Sequence, residues 1–518
     1  MSLAELMINA ASLEIAGKTE LALAELCQAR DAGHHSPKLY GAIGHLHFEL
    51  RHFQDAARAY EEVLRLNRDD ATTHYNRAVC LEKLGAWEDA AAAFQKVIEL
   101  DSRRASAHLG LGISQLHLGR PEEALAAFEK CLARQPFREA ALEGQAVALH
   151  LLRRYEKASE CYQRLLLRNA QPAELLGNMI ALAISQGDFE LLAQYSERLL
   201  EIQPDSAVGR EGAAVAAFAR RDFDAAFRFC SALVEAHPTH FAGWFNCGMA
   251  LQRLGLYETA ADAYARATAI DPRSADAFFS LGTVLQEMQR WEPAREAYEK
   301  ALASLPALKP ALWNLGLLCE KQGDFRLAEN IYSRLVEHHP EAQEGWFRLG
   351  YVRLLRCDFP ACIQALQRCL ALGKNCPEAL LNVGIAHWKM RNLELAKEAF
   401  RDCQGSGPRS AEALGCLAAI ALEQQDYEQA LTLHKQLLEL GEATADVLYN
   451  LALLFQRRGR AADAVRCYRQ ALAMRPGFPQ ALLNLGHALM TLGKHEEAQV
   501  AWQTALRGNV ELAEQFLV

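Results

Sequence analysis

The segments Ala242–Pro272 (AGWFNCGMALQRLGLYETAADAYARATAIDP) and Ala275–Pro306 (ADAFFSLGTVLQEMQRWEPAREAYEKALASLP) lie in register at an offset of 34 residues. Gly248 and Gly282, Tyr257 and Trp291, Ala260 and Ala294, Tyr264 and Tyr298, and Pro272 and Pro306 form the matching pairs. The register extends both ways without insertion or deletion, with repeats opening at 3, 37, 71, 105, 139, 173, 207, 241, 275, 309, 343, 377, 411, 445 and 479. Fifteen repeats of 34 cover 510 of the 518 residues, 3–512. A period of this size means a stack of small units, none of which can bury its apolar face alone. The several separate domains that the length would otherwise suggest give way to one array.

Column identities explain how each unit folds. Position 8 is Gly or Ala in 14 of 15 repeats, with Ile180 the exception, and position 20 is Ala in 13 of 15, with Leu192 and Cys362 the outliers. Position 24 is aromatic in ten, among them Tyr60, Phe94, Phe128, Tyr264, Tyr298, Tyr332 and Trp502, and position 32 is Pro in eight. Apolar residues recur at helical spacing through positions 4, 7 and 11 and again through 20, 24 and 27, so each repeat reads as two amphipathic helices. Small residues at 8 and 20 let the two backbones approach where the helices cross, and the aromatics at 17 and 24 fill the flanking space. Position 15 is often Gly (Gly85, Gly119, Gly255, Gly323, Gly493), which ends a helix by accepting positive φ. Prolines at 17–19, such as Pro121, Pro293 and Pro360, fall in the first turn of the second helix, where a missing N–H does no harm. The fold class is all-α, a solenoid of helix-turn-helix units.

The run Trp244, Cys247-Gly248, Leu251, Gly255, Tyr257, Ala260, Tyr264, Ala267, Pro272 resembles the tetratricopeptide repeat (TPR), and the resemblance covers essentially the whole chain. It implies antiparallel helix pairs stacked into a right-handed superhelix, with a concave groove lined by the first helix of each pair. The pentatricopeptide RNA binders have a similar fold with a period of 35. The strict period of 34 here and a formal charge of −9, from 55 Lys+Arg against 64 Asp+Glu, speak against RNA, because phosphate binding needs a basic stripe.

No enzyme motif is present: there is no P-loop, no G-x-G-x-x-G after a strand, no H-E-x-x-H and no G-x-S-x-G. The expectation is a non-enzymatic scaffold without cofactor or metal. Two clusters could suggest metal. His34, His35, His45, His47 and His52 gather near the first repeat junction, but His45 and His47 are two apart on one helix and cannot face one point. Cys357, Cys362, Cys369 and Cys376 fall in the eleventh repeat, where positions 20 and 27 take Cys as a small hydrophobe.

The family's groove is lined chiefly by positions 2, 5, 6, 9, 12 and 13. Its chaperone-binding members carry Lys at 5 and Asn at 9 as a carboxylate clamp, and neither occurs here. Position 6 instead holds Asn76, Asn178, Asn246, Asn314, Asn382, Asn450 and Asn484, in alternate repeats from 178 to 450. Amides offer donor and acceptor together, so a line of them can hold a peptide backbone. The pattern is similar to the asparagine ladder in the repeat region of O-GlcNAc transferase, whose catalytic part has no counterpart here. Asn at 6 also serves packing in such repeats. Phe245, Phe279, Trp313 and Phe347 recur at position 5, joined by Tyr351 at position 9, and offer anchors for partner side chains. Position 2 turns acidic in Asp276, Glu344, Glu378, Glu412 and Asp446, which favours a basic segment.

The expected partners are therefore extended or helical protein segments, with no nucleic acid and no membrane insertion; exposed grooves of this family can also self-associate. The alternative function is the substrate-recruiting region of a larger enzyme such as a glycosyltransferase. No run of 18 uncharged apolar residues exists, the first 18 residues lack a basic n-region, and the 14 cysteines are scattered, which together suggest a cytoplasmic protein. Ala513–Val518 matches the opening of a sixteenth repeat with Phe516 in column 4, and is read as a short cap, the other reading being the start of a truncated repeat. The sixth repeat (173–206) breaks three columns with Ile180, Leu192 and Ser196, which suggests a soft joint.

Overall fold

The computed structural model describes residues 3–168, 172–373, 376–404 and 409–507. Among them it has thirty helices and no strand, from α1 (Leu3–Ile15) and α2 (Thr19–Asp31) to α29 (Pro479–Thr491) and α30 (His495–Leu506). None is long and apolar enough to cross a membrane. The all-α solenoid reading holds. The residues expected to cap the C-terminus, 513–518, lie outside the described residues.

Two compact units divide the chain, Met1–Leu256 and Tyr257–Val518. In each, short turns fold consecutive helices back against one another. Alanines of the twentieth column, such as Ala56, Ala90, Ala124 and Ala294, are fully buried at the crossings. The eighth column is small because a ring lies over it. A Cβ on Gly282 would stand 2.7 Å from the Tyr298 ring, and one on Gly316 would stand 2.5 Å from Tyr332.

Turns within a pair pass through the left-handed region, at φ 74° for Gly85 and 77° for Gly323. Seven other residues adopt the same conformation without being glycine: Arg51, Arg153, Arg221, Gln289, Cys357, Arg391 and Gln425, at φ between 57° and 64°. The interiors of the stack impose a turn that these side chains resist.

Odd-numbered helices also touch one another. In the first unit α5 (Ala71–Lys83) contacts α7 (Ala105–His117), which contacts α9 (Glu139–Leu151); in the second α17 (Ala275–Glu287) contacts α19 (Lys309–Gln322), and α21 (Gln343–Leu355) contacts α23 (Pro377–Lys389). Even-numbered helices approach each other less closely among the described residues. The odd helices are thus the inner layer of each unit's curve, and the faces they turn away from their partners form its inner surface.

Candidate functional site

Four of the seven column-six asparagines follow a tyrosine in column 24 of the preceding repeat: Asn76 after Tyr60, Asn178 after Tyr162, Asn314 after Tyr298 and Asn484 after Tyr468. Asn314 donates from Nδ2 to the Tyr298 hydroxyl at 3.3 Å, and that hydroxyl donates to Gln286 Oε1 at 3.0 Å. Burial pushes the Tyr298 hydroxyl up to about 12, with the Asn314 bond pulling the other way, so it stays protonated and able to donate. One junction further on, the Tyr332 hydroxyl donates to Glu320, whose other oxygen accepts from Arg348 Nη1 at 3.3 Å, with Arg348 standing in column six. Asn484 donates to the Tyr449 hydroxyl at 3.0 Å, and Asn178 to Glu143 Oε1 at 3.3 Å.

Where column 24 is phenylalanine, the following column six is small, as in Gly110 after Phe94, Gly144 after Phe128 and Cys416 after Phe400. A Cβ on Gly110 would lie 2.3 Å from Phe94 Cζ, and one on Gly144 would lie 2.4 Å from Phe128 Cζ. At these junctions the sixth column faces the twenty-fourth, with Asn314 bonding its tyrosine and glycine making room for phenylalanine, whereas Asn178 and Asn484 turn to Glu143 and Tyr449 instead. In the sequence this contact shows as a small residue in column six wherever phenylalanine stands in column 24 of the preceding repeat.

Asn246, Asn382 and Asn450 stand apart. The residues that precede them in column 24 are Cys230, Leu366 and His434, which present no hydroxyl. All three asparagines are half-buried, and their side chains make no hydrogen bond to another described residue. Asn382 and Asn450 lie in the second unit, on α23 and α27 (Ala445–Arg457), and Asn246 lies in the first, on α15 (Phe241–Arg253).

Ring positions show a similar division of labour. Phe279 tilts against Tyr298 with centroids 6.0 Å apart, and Trp313 meets Tyr332 edge-on at 6.3 Å. Phe347 packs against the apolar cluster around Cys362 and Leu366. Phe279, Trp313, Phe347 and Tyr351 nonetheless remain half-exposed on the inner surface of successive odd helices. Phe245 stacks on Phe241 in the first unit, with centroids 5.9 Å apart.

The acidic column is partly neutralised from within. Arg475 pairs with both oxygens of Asp446 at 3.0 and 2.8 Å. Arg409 reaches Glu378 at 3.8 Å and Glu412 at 2.5 Å. Asp276 and Glu344 are exposed and form no ion pair among the described residues.

Neither suspected metal cluster converges. His45 Nε2 meets Glu14 Oε1 at 2.9 Å, His35 bonds the Tyr40 hydroxyl at 2.7 Å, and His47 and His52 stand with ring centroids 5.8 Å apart. Cys362 and Cys369 are fully buried, and burial pushes both thiols up to about 12; Cys357 is exposed in its turn. Among the described residues no three His, Cys, Asp or Glu side chains gather as a metal set. Chemically the inner surface offers rings and amides, which can grip a peptide by apolar contact and by main-chain hydrogen bonds.

Comparison with known proteins agrees with the helix pairs. A family model described as tetratricopeptide repeat matches residues 42–106, 83–138, 109–174, 245–308, 279–325 and 313–379, and a second model of that description matches 377–406. A model of the middle TPR-like domain of cilia and flagella-associated protein 70 matches 409–515. No curated protein matches the chain. Among solved structures, similar chains include a tetratricopeptide repeat protein from Parabacteroides merdae, at 19% identity over 48% of this chain and 98% of that one with a TM-score of 0.38. Others are the APC/C hetero-tetramer Cut9-Hcn1, at 16% identity over 88% and 97% with a TM-score of 0.32, and Naa15/Naa10 bound to HypK-THB, at 12% over 98% and 99% with a TM-score of 0.35. The matches of the first family model together span just over half of the chain, and the chain belongs to the tetratricopeptide repeat family.

Proposed function

We propose that this protein is a non-enzymatic scaffold whose odd helices hold an extended or helical segment of a partner protein, with the main contacts in the second unit. That a chain of this family is a protein-interaction scaffold follows from its repeats; the mode and residues of binding are the present reading. Its chief support is the split within the amide column. Asn314 and Asn484 already donate to tyrosines, whereas Asn382 and Asn450 are half-buried with donor and acceptor both uncommitted. Neither amide is among the buried polar atoms without a partner, so both are open to water and free to exchange it for a peptide backbone, which supplies both complements. Phe279, Trp313, Phe347 and Tyr351 supply apolar anchors beside them. Asn246 and Phe245 are assigned the same role on the inner surface of the first unit.

The test is a crosslinked pull-down from native lysate with three baits: wild type, Asn382→Ala/Asn450→Ala, and Asn314→Ala. A partner captured by wild type and by Asn314→Ala, and lost from the equally stable double variant, is the expected result. A partner retained by all three removes the uncommitted amides from the binding surface.

A further inference from the structure

Three successive inter-repeat loops of the first unit carry an arginine surplus whose bonds within the fold are all to neutral groups, Arg134 Nη1 donating to the Lys130 carbonyl at 2.8 Å and Arg138 Nη1 to Gln135 Oε1 at 2.9 Å. Residues 101–104, 133–138 and 167–168 contain Arg103, Arg104, Arg134, Arg138 and Arg168 against a single carboxylate, Asp101. Asp101 is itself engaged, its Oδ1 accepting the Arg103 backbone N–H at 3.1 Å. None of the five arginines has a carboxylate within ion-pair distance among the described residues, in contrast to Arg120, which pairs with Glu88, and Arg475, which pairs with Asp446.

The loops are contiguous. His108 Nε2 bonds the Ser102 carbonyl at 3.2 Å, and the charges of Arg134 and Lys130 act on the same imidazole, adding to the burial that lowers its pKa. Arg168 Nη1 donates to the Phe137 carbonyl at 3.4 Å, with its guanidinium 4.4 Å from the Phe137 ring centroid. Arg104 lies 4.1 Å over Tyr75. Stacking on a ring holds a guanidinium flat and leaves its N–H edge facing solvent.

Cations without a carboxylate partner, gathered on one edge inside a chain of net charge −9, leave that edge open to an anionic group. Phe137 (67% exposed) and Leu167 (88% exposed) border it with uncovered apolar surface.

We propose that this edge docks an acidic segment of a partner protein, its carboxylates received by Arg103, Arg134, Arg138 and Arg168 and an apolar residue laid against Phe137 and Leu167. Planar guanidinium groups suit carboxylates in bidentate pairs. The negative charge of the rest of the chain repels a long polyanion more than a short peptide. The edge is distinct from the inner-surface residues assigned above, so either reading can fail alone.

The probe is a short fluorescein-labelled peptide of glutamates interrupted by phenylalanine, titrated with the full chain by fluorescence anisotropy at about 50 mM salt, where screening is weak. Arg134→Glu/Arg138→Glu/Arg168→Glu should weaken binding by about tenfold or more. Arg228→Glu/Arg326→Glu/Arg401→Glu changes the net charge equally at exposed arginines elsewhere and should leave binding near wild type. The triple glutamine variant at 134, 138 and 168 serves if charge reversal perturbs the circular dichroism spectrum. Absence of peptide binding, equal losses in the two sets, or single-stranded DNA of matching charge binding as tightly as the peptide overturns the proposal.

Discussion

At the scale of single residues, asparagines in one column do two different jobs, and the neighbour across the repeat junction decides which. Asn314 completes the hydrogen bonding of a fully buried tyrosine; Asn382 follows a leucine, Leu366, in the same two columns and has no such duty. Asn314→Ala should therefore destabilise its junction by about 1 kcal/mol, the net value of one such bond, while Asn382→Ala should change it by less than about 0.5 kcal/mol, the range of a surface substitution. Amide exchange over residues 275–342 in the first variant and 343–404 in the second checks this; an equal change of protection in the two would place Asn314 outside the packing. The sequence showed the asparagine column and its alternate spacing clearly. It did not show the split, because reading a column downwards hides the partner, which stands in column 24 of the preceding repeat. The pairing of tyrosine with a polar residue and of phenylalanine with a small one across that junction was the available signal.

At the scale of elements, the helix pairs are legible from a periodicity that repeats fifteen times, because burial at columns 8, 20 and 24 is set by the same crossing each time. Turns were less legible. Column 15 announces itself only where glycine stands there, yet Arg221 takes φ 60° with no help from its side chain, since the packed helices on either side fix the path of the chain. Arg221→Gly should relieve the left-handed cost of roughly 1–2 kcal/mol, offset by about 0.5–1 kcal/mol of extra freedom in the unfolded chain. A net gain of about 0.5–1 kcal/mol is expected, seen as slower amide exchange across 207–236; a loss would mean that Arg221 makes contacts outweighing its backbone strain. The sixth repeat teaches the opposite lesson. Its three broken columns are plain in the sequence, but in the fold they offset one another: Ile180 and Leu192 are buried where small residues normally sit, and Ser196 withdraws where a ring would have filled the space. A Cβ on Gly212 would come 2.4 Å from Ser196 Oγ, so even the smaller side chain is closely packed. The hydroxyl of Ser196 is buried without a hydrogen-bond partner, which keeps that junction a candidate weak point despite its filled volume.

At the scale of the whole molecule, stability in a solenoid is a sum of unit terms and nearest-neighbour terms, with few contacts between distant repeats to spread a local defect. The division into Met1–Leu256 and Tyr257–Val518 runs between the helices of the eighth 34-residue register, where every signature column is intact, so nothing in the repeat pattern marks it. It follows that an overpacked crossing should be felt on one side of that boundary and not on the other. Gly316→Ala places a Cβ 2.5 Å from the Tyr332 ring, and Gly112→Ala places one 2.6 Å from the Phe128 ring; each should cost about 1–3 kcal/mol through forced displacement of the ring. Exchange measured by mass spectrometry should show Gly316→Ala loosening residues 275–372 while protection across 37–151 stays at the wild-type level, and Gly112→Ala doing the reverse. If either substitution loosened both units together, the chain would be unfolding as one cooperative body, and the nearest-neighbour account of its stability would be wrong.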